Sequence, residues 1–273
     1  MKRVALVTGS SRGIGANIVK KLAKIGYNVV ITGKSIENVN NLGSIYSVEN
    51  SIKKYNVDSL ALYLDMRNVD SIKNCINKID EKFGRLDILI NNASALWWDN
   101  INNTPEKRYD LINNINTKGA FYMSKYSIPL MLRNNYGHII NHSPPLKNIN
   151  NIDIYKNKTA YLISKFGMTM VAMGIASENK NKNIAANTIW PKTAIDTEAV
   201  RKNNLGDKIN WRKPDIISDA IEKIILEDPK KFTGNQLIDE TYLKSKGVIN
   251  FEKYKCVPGS KPIDLDDLFN LSY

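Results

Sequence analysis

Val7-Thr-Gly-Ser-Ser-Arg-Gly-Ile-Gly15 joins two kinds of periodicity. Ahead of it, Val4–Val7 is a short continuous apolar run, as expected of a strand buried on both faces. Behind it, Ile14, Ile18, Leu22 and Ile25 recur at the spacing of one helix face. Gly9, Gly13 and Gly15 therefore occupy a strand-to-helix turn. Glycine allows the tight turn and the close approach of backbone to a ligand, and the helix N-terminus presents unpaired N–H groups to an anion. The spacing is GxxxGxG rather than GxGxxG, but the physics is the same. The turn is expected to hold a pyrophosphate, with Gly9, Ser11, Arg12, Gly13, Ile14 and Gly15 against the nucleotide.

The rest of the chain repeats the alternation. Val29–Thr32, Leu60–Leu64, Leu86–Ile90, His138–His142, Ile184–Trp190 and Gln236–Asp239 read as strands. Helical spacing covers 68–83, with Val69, Ile72, Ile76, Ile79 and Phe83 on one face. Thr104-Pro-Glu reads as an N-cap with proline at the first helical position, opening a helix to about Asn134 that Tyr136-Gly137 ends. Further helices are expected from Lys158 and over Ile216–Leu226, with a polar, Asn-rich loop at 144–157. Strand and helix in alternation predict an α/β fold, a doubly wound parallel sheet in a single domain. The expected division is 1–240 for the nucleotide-binding body and 241–273 for a tail packed on it.

Composition narrows the function classes. The 273 residues are 42% hydrophobic and 24% charged, with a net charge of +12. Such charge can mark a nucleic-acid or membrane partner, but the lysines are scattered and no basic stripe or nucleic-acid motif accompanies them. No nucleic-acid partner is expected. Cys75 and Cys256 lack a CxxC partner, so neither a metal site nor a disulfide framework is expected. The first strand begins near Arg3, no apolar run is read as reaching the ~20 residues of a membrane span, and the chain ends without a peroxisomal tripeptide. These features lead to an expected cytoplasmic location.

Two features carry chemistry. Strand two ends in Ile31-Thr-Gly-Lys-Ser35, with no acid to meet a ribose 2′-hydroxyl. Arg12 and Lys34 are instead cations placed to meet a 2′-phosphate, which argues for NADP(H); the plain alternative for Lys34 is a solvated surface lysine. Tyr161 and Lys165, in Thr159-Ala-Tyr-Leu-Ile-Ser-Lys165, are four apart and share a helix face. A nearby ammonium favours the phenolate and suits the tyrosine to proton transfer near neutrality. Such a pair often arises by chance; the glycine turn and Asn91-Asn-Ala-Ser94 after strand four give it weight.

These residues together resemble the short-chain dehydrogenase/reductases over about residues 3–240. TGxxxGxG is Thr8–Gly15, NNAG is Asn91–Ser94 with Ser in the last place, and YxxxK is Tyr161 and Lys165. A narrower group within the family shares Asn141-His-Ser-Pro-Pro145, Trp190-Pro-Lys-Thr-Ala-Ile195, Thr104-Pro-Glu-Lys-Arg108 and Phe232-Thr-Gly-Asn followed by Ile238-Asp-Glu240. Its members often carry a C-terminal sterol-carrier domain, which is not expected here. The resemblance implies a Rossmann-type sheet, a homodimer or homotetramer, and hydride transfer between NADP(H) and an apolar carbonyl or secondary alcohol, a small-molecule substrate. By the same resemblance, Tyr161 donates the proton and Lys165 lowers its pKa and holds the nicotinamide ribose. Asn116, in Ile115-Asn-Thr-Lys-Gly119, anchors a relay water, and Asp65, Met66, Asn92, Ala93 and Pro191 complete the cofactor site.

Two departures stand out. The family's catalytic serine is the second residue of a pair after strand five, and here that place is Pro144, with Ser143 before it. Ser143 precedes a proline and is confined to extended conformations; in the usual register it points away from Tyr161. It is retained as a candidate substrate-site residue with Trp97 and Trp98, whose plain alternative is packing or a subunit contact. Pro191-Lys192 also replaces the usual Pro-Gly and sets a cation beside the nicotinamide. The loss of the serine keeps open a second reading, a cofactor-binding protein with weak or lost turnover.

Overall fold

The computed structural model describes residues 2–265. Its strands are β1 (Val4–Val7), β2 (Asn28–Gly33), β3 (Ser59–Tyr63), β4 (Ile88–Asn91), β5 (Gly137–His142), β6 (Ile184–Trp190) and β7 (Gln236–Ile238). They form one sheet in the order β3-β2-β1-β4-β5-β6-β7. All six pairings are parallel. The order reverses between β1 and β4, where open parallel sheets leave a crevice at the carboxyl ends of the strands.

The α-helices are α1 (Gly13–Lys24), α2 (Ile45–Ile52), α3 (Val69–Phe83), α4 (Glu106–Asn113), α5 (Gly119–Arg133), α6 (Thr159–Glu178), α7 (Glu198–Lys202), α8 (Asp215–Ile224) and α9 (Asp239–Ser245). Alternate residues of each strand face opposite ways, so β1 divides itself between two cores. Ala5 and Val7 join Ile18 and Leu22 of α1, Val48 of α2 and Ile221 of α8. Val4 and Leu6 join Ile76 of α3, Met123 of α5 and Ala172 of α6. Each fully buried Leu or Ile contributes about 1.5–3 kcal/mol, which is how a four-residue strand is held.

Local signals set the helix ends. The Asn68 side chain accepts from the N–H groups of Asp70 and Ser71, and Gly84, at φ 64°, stops α3 in the left-handed conformation. Three expectations are corrected. Thr104 is not an N-cap: its hydroxyl donates to the Asn100 carbonyl at 2.7 Å, and extended Pro105 precedes a helix that opens at Glu106. The expected helix to Asn134 is interrupted by a π segment over Asn114–Lys118. Gln236–Asp239 loses its last residue, because Asp239 opens α9.

The break expected at 240 therefore falls inside α9. Tyr242, Leu243 and Tyr254 enter the same core as α1 and α8, and residues 266–273 lie outside the described residues. Helices α2, α7 and α9 had no sequence expectation. One further correction concerns α6, which at 20 residues is long and apolar enough to cross a membrane by length and composition. It packs on β5 and β6, with Met168 and Ala172 fully buried.

Candidate active site

The crevice begins at the glycine turn. Gly9 has φ 63°, and a Cβ there would lie 2.8 Å from the Ala93 Cα. A Cβ on Gly15 would lie 2.5 Å from the Gly9 carbonyl oxygen. Both contacts are with backbone, so nothing larger than glycine fits without moving the chain. Helix α1 opens after Arg12 with no side-chain cap and no acid in its first turn. Its unpaired N–H groups are left for an external anion. Beside them, the Thr8 hydroxyl accepts from the N–H groups of Asn92 and Ala93, each at 3.0 Å. That clamp ties the end of β1 to the end of β4. The cradle fits the pyrophosphate of a nicotinamide dinucleotide.

Every residue assigned to the cofactor from the sequence lines one cavity of about 560 Å³ at this switch point, from Gly9 through Lys34, Asp65, Met66, Asn92 and Ala93 to Tyr161, Lys165 and Pro191. Both expected cations are paired here. Arg12 meets Glu198 at 3.4 Å and Lys34 meets Asp65 at 3.6 Å. Asp65 also accepts from the Arg67 Nε at 2.9 and 3.1 Å, and this contact, ahead of the Lys34 charge, holds its carboxyl down at about 2. Lys192 turns out of the cavity. It meets Glu240 at 3.4 Å and Asp264 at 3.6 Å, and it is not among the residues that line the cavity.

At the other end of the cavity, α6 brings Tyr161 and Lys165 in from the side of β5. Tyr161 is 8% and Lys165 is 2% exposed. Trp98 stands edge-on to Tyr161 with ring centroids 6.4 Å apart, and the Lys165 ammonium lies 5.3 Å from the Trp190 ring. Lys165 Nζ donates to the His142 carbonyl at 2.5 Å. Burial drives its pKa down to about 7. The same burial pushes the Tyr161 phenol above its ordinary value, against a lowering hydrogen bond from Ser94. For both groups burial, which disfavours the charged form, is the leading cause of the shift.

Asn116 does not line the cavity. It is fully buried in the π segment, where its Oδ1 accepts from Ala95 N at 2.8 Å. Its Nδ2 donates to the Ala95 carbonyl at 3.0 Å and to Ser164 Oγ at 2.9 Å. π segments often mark functional positions, and this one fastens the loop after β4 to α6.

Two of the tentative substrate residues are corrected. Ser143 is fully buried, and its hydroxyl is hydrogen-bonded to Thr169 Oγ1 at 2.8 Å. Trp97 stacks under the Arg108 guanidinium at 4.6 Å and is not among the lining residues, whereas Trp98 is. Side chains alternate direction along an extended segment, so the neighbours part. Sequence reasoning missed Thr8, Ser94 and Trp190. The Ser in the last place of the NNAG element was the visible signal for Ser94. Among the described residues, no three His, Cys, Asp or Glu side chains gather closely enough to hold a metal ion.

Comparison with known proteins agrees with this geometry. The family described as short chain dehydrogenase matches residues 3–208. Hydroxysteroid dehydrogenase-like protein 2 of Mus musculus and of Homo sapiens is each 43% identical over 255 residues, 93% of this chain. The chain spans 51% and 60% of their respective lengths. A putative dehydrogenase from Xanthomonas campestris superposes with a TM-score of 0.91 at 32% identity, covering 96% of both chains. A metagenomic short-chain oxidoreductase in complex with NADP superposes with a TM-score of 0.72 at 26% identity, covering 86% of this chain and 96% of that one. With the family match over residues 3–208 and 43% identity to these relatives over 93% of its length, the chain belongs to the short-chain dehydrogenase family.

Proposed function

We propose that this chain is an NADP-dependent oxidoreductase that moves a hydride between the nicotinamide and an apolar carbonyl or secondary alcohol. The observation that carries the reading is that one cavity holds both the phosphate cradle at α1 and the Tyr161–Lys165 pair on α6. The cofactor, when bound, supplies or accepts the hydride. The residues of the chain do the rest. Gly9, Gly13, Gly15 and the N-terminus of α1 bind the pyrophosphate. Tyr161, kept protonated by burial, donates a proton to the oxygen that forms the alcohol. Lys165, one helical turn on, lines the same cavity and, on the family resemblance, holds the nicotinamide ribose. Asn116 braces the loop and, on the family resemblance, serves the proton path. Leu96, Trp98, Trp190, Val200 and Leu205 give the cavity an apolar wall that suits an apolar, lipid-derived substrate.

The choice of NADP rests on Arg12 and Lys34 and on the missing acid after β2. Both cations keep 43% and 53% of their side chains exposed. Exposed ion pairs are worth roughly 0–1 kcal/mol, so a 2′-phosphate can displace their carboxylate partners. A homodimer or homotetramer belongs to the same reading, because Phe121, Ile163 and Met170 leave apolar surface exposed on α5 and α6. So does a reducing compartment such as the cytoplasm, where the free Cys75 and Cys256 stay thiols.

The test is direct. The protein is expected to bind NADPH about tenfold or more tightly than NADH and to oxidise NADPH with decanal. Equal affinities would reject the cofactor assignment. One observation favours a second reading, in which turnover is weak or lost: Pro144 stands where the family has its serine and Ser143 is turned toward Thr169. Firm NADPH binding with no oxidation by medium-chain and steroid carbonyls would select it.

A further inference from the structure

We propose that Ser94 supplies the second hydrogen-bond donor to the substrate carbonyl, from the loop after β4 instead of the loop after β5. The inference rests on the reading of this cavity as a carbonyl site. A carbonyl oxygen has two lone pairs, and Tyr161 serves one of them. Family members place a serine hydroxyl at the other. Here Pro144 carries no donor, and the Ser143 hydroxyl is buried against Thr169 at 2.8 Å. Thr169 donates its one hydroxyl proton to the Pro144 carbonyl at 2.7 Å, which leaves the Ser143 hydroxyl to donate to Thr169. The loop after β5 therefore has no hydroxyl to offer.

The loop after β4 does. Ser94 lies in the place of the family's glycine. It is exposed and lines the same cavity as Tyr161, and its side chain is near enough to act on the Tyr161 phenol. A group that reaches the Tyr161 hydroxyl also reaches an oxygen bound to it. Its one other contact, donation to the Ala95 carbonyl at 3.3 Å, is long, so the proton can swing to a better acceptor.

The loop itself is anchored on both sides of Ser94. Asn92 and Ala93 are held by Thr8. Ala95 is held at both its N–H and its carbonyl by Asn116. A donor fixed in advance where charge develops is the arrangement that stabilises an oxyanion-like transition state. Ser94 gives up no proton in this role. It donates a hydrogen bond to the carbonyl oxygen as negative charge grows there, and Tyr161 transfers its own proton. A serine here serves the same chemistry as one after β5 because both loops end neighbouring strands on the same rim of the sheet.

The experiment compares the full chain with Ser94→Ala, Ser94→Thr and Ser143→Ala. NADPH with decanal reports turnover. Decanamide, a carbonyl that cannot be reduced, reports binding to the NADPH complex. Ser94→Ala is expected to lower kcat by about a hundredfold and to weaken decanamide by about tenfold, with NADPH affinity unchanged. Ser94→Thr, which keeps the hydroxyl, restores most of both, and Ser143→Ala loses less than about tenfold in kcat.

The proposal is overturned if Ser94→Ala binds decanamide as well as the parent, if its kcat stays within about tenfold, or if Ser143→Ala carries the large loss. Absence of decanamide binding to the parent NADPH complex also overturns it. Failure of the underlying reading looks different, because the parent protein itself would then not bind NADPH or would not oxidise it with any carbonyl.

Discussion

At the cofactor end of the crevice the working atoms belong to the backbone. Gly9 and Gly15 leave no room for a Cβ, and α1 offers bare N–H groups. At the end proposed to be catalytic they belong to side chains: Tyr161, Lys165 and, on the further inference, Ser94, brought in by α6 and the loop after β4. The difference has a consequence for change. A backbone cradle cannot be assembled from another loop, because the contact distances leave only glycine. A hydroxyl can come from any loop that ends on the same rim, so the proline at 144 need not abolish the site.

The comparison is broken most directly at Tyr161. Tyr161→Phe keeps the ring that meets Trp98 and removes the hydroxyl. Turnover is expected to fall by ~10² or more, the scale of general acid–base catalysis, while NADPH binding survives. Steady-state rates with decanal and a fluorescence titration of NADPH read the two separately. Retained turnover would move the proton donor to another group.

The cofactor end should fail in the opposite way. Gly15→Ala sets a methyl group 2.5 Å from the Gly9 carbonyl oxygen. Shifting the turn by enough to admit it costs about 1–3 kcal/mol. NADPH affinity is expected to fall on the order of tenfold to a hundredfold, with the rate of the bound complex much less affected. A dissociation constant equal to that of the parent would show the turn to be looser than its contacts imply.

Lys34→Asp sharpens the same end. It removes one cation and restores an acid after β2. A charge-assisted contact is worth about 1.5–3 kcal/mol, so preference should move from NADPH toward NADH by roughly tenfold or more. Paired titrations of the two cofactors measure the ratio, and an unchanged ratio would take Lys34 out of the 2′-phosphate site.

The smallest effect separates the two regions by pH. His138 and His142, both on β5, are held near 4 and near 3, chiefly because burial disfavours their charged forms. The folded protein therefore refuses protons that the unfolded chain accepts at about 6.5. The stability they contribute is intact above pH 6.5 and is lost as pH falls from there toward 4 and 3. At pH 5.5 each should cost about 1 kcal/mol. Urea midpoints at pH 7.5 and 5.5 should differ, and His138→Phe should shrink the difference; an equal difference in the variant would assign the pH dependence elsewhere.

Much of the cofactor end was legible because its signals are local. Glycine spacing between a strand and a helix is read within one window, and all the residues assigned to the nucleotide line one cavity. Strand limits moved by only a residue or two. The catalytic end was legible only as a list. Trp97 and Trp98 looked equivalent until the chain sent one under Arg108 and the other against Tyr161. Lys192 read as a cation beside the nicotinamide until Glu240 and Asp264 drew it aside. The short helices α2, α7 and α9 escaped notice because each runs for eight residues or fewer of mixed sequence. Two of them open on single caps, the Ser44–Ser47 pair at α2 and Thr197 at α7.

The sequence by itself determined the alternation of elements, the position of the phosphate cradle and the placing of Tyr161 and Lys165 on one helix face. Periodicity and glycine torsions act within a few residues and do not depend on what lies across the sheet. Tertiary structure alone decided which serine shares the cavity with Tyr161, which carboxylates hold Arg12 and Lys34, and the sense of the Tyr161 and Lys165 pKa shifts. Those outcomes turn on burial and on partners tens of residues away, set by how loops from separate strands converge on one rim of the sheet.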